Sequence, residues 1–251
     1  MKTTLRNTPS VKIGIVGVSR DCFPRELTRK RLAEVVAECR RLNLPVVPCS
    51  VIIETENDAM SAVAEMQRKG VDAAAVYLGN FGPEGPLTIF AQKMSRPFML
   101  CAAAEESRKT LIGGRGDAYC GMLNASINCD LRHLRPYMPP MPVGLPDQVA
   151  RMIQHFVGVA RVATGVRRLK TFSFGPRPQD FYACNAPIKP LYDLGIEVME
   201  NSELDMFVLY QAAASRKQEI QAIAADMARE LGRGNQYPKK LLQLAQFELA
   251  L

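Results

Sequence analysis

The sequence predicts an α/β fold: a doubly wound parallel sheet of the flavodoxin/Rossmann kind, followed by a second, incomplete α/β domain. Three observations carry this. Apolar, strand-like runs alternate with amphipathic helical stretches through the first half of the chain. Those runs are continuous rather than alternating in polarity, as strands buried on both faces require. A proline-rich segment, RPYMPPMPVGLP, then breaks the pattern and marks a boundary, because its prolines forbid regular structure.

The elements follow in order. VKIGIVGV (11–18) is strand one, and a helix spans 24–42 with Pro24 suited to its first turn. Strand two covers 46–53, and the helix 57–69 stops at Gly70, a residue that readily takes the left-handed cap conformation. DAAAVYLG is strand three, PLTIFAQKM is helical, PFMLCAA is strand four, and a further helix lies within DAYCGMLNASINCDLRHL. Right-handed crossovers put strand one in the middle with strand two beside it. After the proline-rich break, Val149, Met152, Ile153, Phe156, Val157 and Ala160 share one face of a long helix, read as a connector. The domains are accordingly 1–145 and 146–251. The second has strands at 171–174 and 196–200, then helices through 204–231 and 238–251. Two strands make a poor independent sheet, so either further chain or a partner molecule is expected to complete it.

Composition narrows the function. The chain has 251 residues, 47% of them hydrophobic, enough for a substantial core. Its apolar runs fall far short of the roughly 20 residues that cross a bilayer, and MKTTLRNTPSVK has no secretory apolar block, so the expected compartment is the cytoplasm. Seven cysteines without a C-x-x-C pair suggest reduced, buried thiols rather than disulfides or a zinc ribbon. The two histidines, His133 and His155, lack metal-ligand spacing. A net charge of +7 raises nucleic acid as a partner, but the basic residues alternate with apolar ones along helices such as RELTRKRLAEVVAECRR and no recognition motif accompanies them. They read as solvated helix faces. GIVGVS lacks the G-x-G-x-x-G pattern, no phosphate loop occurs, and the RGD at 115–117 reads as coincidence. Cys22 and Cys120 have no neighbouring histidine to act as base.

In an open parallel sheet, ligands bind beyond the carboxyl ends of the strands, where strand order reverses. The loops there are SRDCFP, GNFGPEGP and AEES, with GGRGDAYCG downstream. They gather Arg20, Asp21, Asn80, Phe81, Glu84, Glu105, Glu106, Arg115 and Asp117 into a polar crevice for a small molecule; equally, these residue types cap helices and close turns. In the second domain, GPRPQDF carries Arg177, Gln179 and Asp180, and Asn185 follows. Those groups suit a polyol or a protein contact better than a nucleotide, whose phosphates favour a glycine-rich nest, while Asp180 also suits a helix cap.

The segments KIGIVGVSRDCFP, YLGNFGPEGP, GGRGDAYCGMLNAS and FGPRPQDFYACNAPIKPLYDLGIEVMENSELDMF resemble the N-terminal half of the L-fucose/L-arabinose isomerase family. The resemblance runs from Lys12 through nearly the whole chain. It implies two Rossmann-like domains of an enzyme that interconverts aldoses and ketoses with a divalent cation, typically Mn2+, and whose metal carboxylates and catalytic histidine belong to a later C-terminal domain. No cofactor is thus expected within this chain. The resemblance also implies that strand-end loops reach the sugar of a neighbouring subunit, with Arg20 matched to such a loop, and that the partners are a sugar or polyol and a homo-oligomer or the C-terminal isomerase domain. The alternative reading is a stand-alone two-lobed sugar-binding module, which needs four or more strands in each lobe.

Overall fold

The computed structural model describes residues 9–106, 115–175, 180–184 and 187–251. The chain divides into two compact units, Met1–Val166 and Arg167–Leu251.

In the first unit, β1 (Ile13–Val18), β2 (Val46–Pro48), β3 (Ala73–Leu78), β4 (Phe98–Ala103) and β5 (Val143–Gly144) form one sheet in the order β2-β1-β3-β4-β5. Every pairing is parallel. This is the flavodoxin-like doubly wound order, with its switch point between β1 and β3. All six residues of β1, β3 and β4 are buried, which is why these strands read as unbroken apolar runs.

Right-handed crossovers assign the helices to faces. Helix α1 (Arg25–Arg41) joins β1 to β2 on one face, and α5 (Pro146–Val166) packs against it. Helices α2 (Glu56–Arg68), α3 (Glu84–Met94) and α4 (Ala118–Leu131) lie in a row on the other. A capping box between Thr55 and Asp58 starts α2, and Gly70, at φ +65°, follows its end.

Three features differ from the sequence expectation. Strand β2 stops at Pro48: the Cys49 amide still donates to the Ile15 carbonyl at 2.8 Å, residues 50–52 leave the ladder, and Ile53 rejoins β1, bridging Val18. The proline-rich break contains β5, an edge strand that needs few donated hydrogen bonds: the Ala102 amide donates to Pro142 at 2.8 Å and the Ala104 amide to Gly144 at 2.9 Å. Helix α5, expected to open the second domain, packs within the first unit through Val149, Ile153, Phe156 and Ala160.

The second unit pairs β6 (Lys170–Phe174) in parallel with β7 (Glu197–Asn201), linked through α6 (Ile188–Asp193). One helix was expected over 204–231; two form, α7 (Glu203–Ala213) and α8 (Lys217–Leu231), broken at 214–216. With α9 (Leu241–Ala250), α8 closes a small core of Ile220, Ala224, Leu241 and Ala245. The outward side chains of this unit include Phe172, Met199, Leu204, Phe207 and Val208, all at least 45% exposed.

Candidate functional site

Asn80 organises the switch point. It is fully buried at the carboxyl end of β3, and its Oδ1 accepts from the Arg20 amide at 2.9 Å and the Gly82 amide at 3.2 Å. Its Nδ2 donates to Ser19 Oγ at 2.8 Å. One amide side chain therefore ties the loop after β1 to the loop after β3, satisfying groups that would otherwise be buried unpaired.

Above this clamp, the Arg20 guanidinium lies 4.8 Å from the centre of the Phe81 ring, donates from Nε to the Gly82 carbonyl at 3.2 Å, and pairs with Glu84. Phe81 stacks on Phe23 with ring centres 5.9 Å apart. The result is a fixed cation on an aromatic face, with Asp21 exposed beside it. The rim thus offers an aromatic edge beside charged hydrogen-bonding groups.

A second cluster braces the end of β4. Arg31, 4% exposed, donates to the Gly79 carbonyl at 2.8 Å and to Glu105 Oε2 at 2.7 Å. Glu105 Oε1 accepts from the Gly116 and Asp117 amides at 2.9 and 3.1 Å. Burial pushes the Glu105 carboxyl up, but the Arg31 bond and these two amides outweigh it and hold the carboxyl below its ordinary range. The segment before α4 must come close for this: a Cβ on Gly116 would lie 2.4 Å from Arg31 Nη1, and one on Gly121 would lie 1.8 Å from the Phe81 carbonyl oxygen. Asp117 takes the left-handed conformation at φ 52°, 3.9 Å from the exposed Arg115.

The structure thus gathers Arg20, Asp21, Asn80, Phe81, Glu105, Arg115 and Asp117 at the carboxyl ends of β1, β3 and β4, while dividing them by role. Asn80 and Glu105 are bonded inward; Arg20, Asp21, Phe81 and Arg115 reach the surface. Asp180 lies in the second unit, exposed, at φ 63°. Arg177, Gln179 and Asn185 lie outside the described residues. Arg31 escaped the sequence reading because it sits in a run of basic residues on a helix. Its signal is position: it falls on the face made by Thr28, Leu32, Val35 and Cys39, which is buried.

The donors among the described residues do not fit a divalent cation. No group of three or more His, Cys, Asp or Glu side chains that could hold a metal occurs among the described residues. Both Glu105 oxygens are occupied, and His133, in the turn after α4, and His155, on α5, stand apart and exposed. A cavity of about 420 Å³ beside Glu106 is lined by Glu34, Glu38 and Asp147, but these pair with Lys30, Arg41 and Arg151. In the second unit an apolar groove of about 480 Å³ runs between Phe174, Met206, Phe207, Tyr210 and Phe247.

The five-stranded parallel sheet with helices on both faces defines a doubly wound, Rossmann-like α/β domain. The family model of the fucose/sulfoquinovose isomerase N-terminal domain matches residues 14–167, and the chain belongs to that isomerase family as an N-terminal region. The match ends where the first unit ends. No curated protein matches the chain. No helix among the described residues is long and apolar enough to cross a membrane.

Proposed function

We propose that this chain supplies the substrate-pocket and assembly region of a metal-dependent aldose–ketose isomerase, working in the cytoplasm. The rim of Arg20, Asp21 and Phe81 contacts the sugar, and the Mn2+ and its acid–base groups come from a different part of the enzyme. The observation that carries the reading is Arg20 held over Phe81 at the β1/β3 switch point, within the residues matched to the family. Seven free thiols agree with a reducing compartment. The two-lobed binding module is the weaker reading, since the described residues of the second unit form two strands rather than four.

Ligand-observed saturation-transfer NMR tests this, with fucose, arabinose, sulfoquinovose and their ketoses offered to the chain. Binding of at least one, weakened about tenfold or more by Arg20→Ala, is expected. Arg20 holds a part-buried ion pair to Glu84, a hydrogen bond to the Gly82 carbonyl and one ring contact, so the same change also costs about 1–2 kcal/mol of stability, and binding is compared at a temperature where both variants are folded. Binding indifferent to Arg20, or ketose formation by the chain with Mn2+ above a metal-only control, overturns the assignment.

A further inference from the structure

We infer that the groove of the second unit is a binding site for an organic cation, a substituted ammonium group carried on a small apolar body. The inference goes beyond the sugar reading and does not depend on it.

Three elements supply its walls. On α7, Glu203, Met206, Phe207 and Tyr210 fall at i, i+3, i+4 and i+7 and so share one face of the helix. Gln243 and Phe247 come from α9, one turn apart, and Phe174 from the end of β6. Four of these seven residues are aromatic in a chain that is 7% aromatic, so the lining is mostly π surface. The Tyr210 and Phe247 rings stand with centres 4.3 Å apart, inclined at 33°. Beside them the Gln246 amide donates to the Tyr210 carbonyl at 2.7 Å and ties α9 to α7, which sets the two rings before a ligand arrives. The only charged side chain in the lining is Glu203. It lies across Gly175, where an added Cβ would stand 2.8 Å from its Cγ and 2.9 Å from its Oε1. Gly175, at φ +83°, therefore leaves the carboxylate its place in the groove. Among the described residues no lysine or arginine pairs with it, and none lines the groove. The first turn of α7 accounts for a carboxylate at 203, but not for the rings that share its groove.

Charge complementarity selects the occupant. The negative face of an aromatic ring attracts a cation within about 6 Å of its centre, and the carboxylate adds a counter-charge. An anion would be repelled by Glu203, with only the Gln243 amide and the Tyr210 hydroxyl as side-chain donors to offset it. A hard metal ion finds one carboxylate where it takes about six oxygen ligands. A bare ammonium holds its water tightly, whereas alkyl groups on the nitrogen give an apolar surface to bury against the rings and Met206. The groove, about 480 Å³, lies within the roughly 300–1,000 Å³ of small-molecule sites and exceeds a trimethylammonium group, so the nitrogen is attached to a further apolar part.

Ligand-observed NMR titrations of the full chain with choline and benzyltrimethylammonium test the site, with 3,3-dimethylbutan-1-ol as the uncharged isostere of choline. Both cations are expected to bind, benzyltrimethylammonium the tighter, and choline binds about fivefold or more tighter than the alcohol. Phe247→Leu and Tyr210→Leu keep apolar volume and remove a π face, so each weakens the cations about threefold or more and leaves the alcohol unchanged. Glu203→Gln removes the charge with a similar loss, and added salt reproduces part of that loss in the wild type. Should a leucine variant lose its helical circular dichroism, Glu203→Gln, an exposed change, is read in its place. Binding of the alcohol as tight as that of choline marks a merely apolar groove and overturns the inference. Absence of binding by both cations, or folded variants that bind them like wild type, overturns it too. The titrations contain no sugar, so their failure leaves the sugar reading untouched.

Discussion

Removing the Glu105 side chain strips three donors of their acceptor at once. In Glu105→Ala, the Arg31 guanidinium keeps only the Gly79 carbonyl, and the Gly116 and Asp117 amides lose their partner. Breaking a buried pair by deleting one member costs about 3–5 kcal/mol, because the remaining charge stays desolvated. The Arg31 side chain is 4% exposed but that of Glu105 is 17% exposed, so some water reaches the gap and the lower end, about 3 kcal/mol, applies. Glu105→Gln keeps one oxygen for the two amides but turns its NH2 donor toward the Arg31 guanidinium and leaves that charge without a counter-ion, so it costs about 2–3 kcal/mol. Hydrogen exchange of the β1 and β3 amides reads the loss directly, since these central strands exchange only when the first unit opens. The acid dependence has a defined sign. The folded carboxyl sits below its unfolded value of about 4.3, so its contribution is complete above that pH and disappears as pH falls through the depressed folded value. The gap between wild type and Glu105→Gln is therefore widest at neutral pH and closes in acid. If both variants exchange within about 0.5 kcal/mol of wild type, the ion pair is not the brace described here.

Gly121→Ala forces a Cβ onto the Phe81 carbonyl, where only backbone stands in the way; a destabilisation of at least about 2 kcal/mol is expected in urea unfolding, and a neutral result refutes the close approach of α4 to that loop. Glu65, whose carboxyl is buried but drawn down to about 2 by Lys69 and Ser50, holds the excursion after β2. Glu65→Gln should cost about 2 kcal/mol at neutral pH, with the wild-type advantage fading between about pH 4.3 and 2, and a pH-independent difference contradicts this.

Strands β1, β3 and β4 were legible because a strand covered on both faces has no polar position, and six consecutive buried residues leave one reading. Strand β5 was not, since two edge residues among prolines carry no period. The break between α7 and α8 is equally silent: Ser215 and Arg216 do not forbid a helix, and the turn is set by the folding of α8 onto α9. At the site, the loops and most of their residues followed from strand-end position alone. The split between inward scaffold and outward rim did not follow, because Asn80 and Arg20 look alike as polar loop residues until three-dimensional partners separate them. Arg31 shows the converse, a charge on an apolar helix face that is explained only by a carboxylate 74 positions away.

The central claim is that the sugar meets this chain at the β1/β3 switch point, and backbone amide shifts measured while titrating the sugar that binds best test it most directly. Shifts concentrated at residues 19–23, 81–84 and 115–117, and abolished by Arg20→Ala, are the predicted result. Shifts confined to the Phe174–Phe247 groove of the second unit, or none at sugar concentrations far above physiological, contradict it.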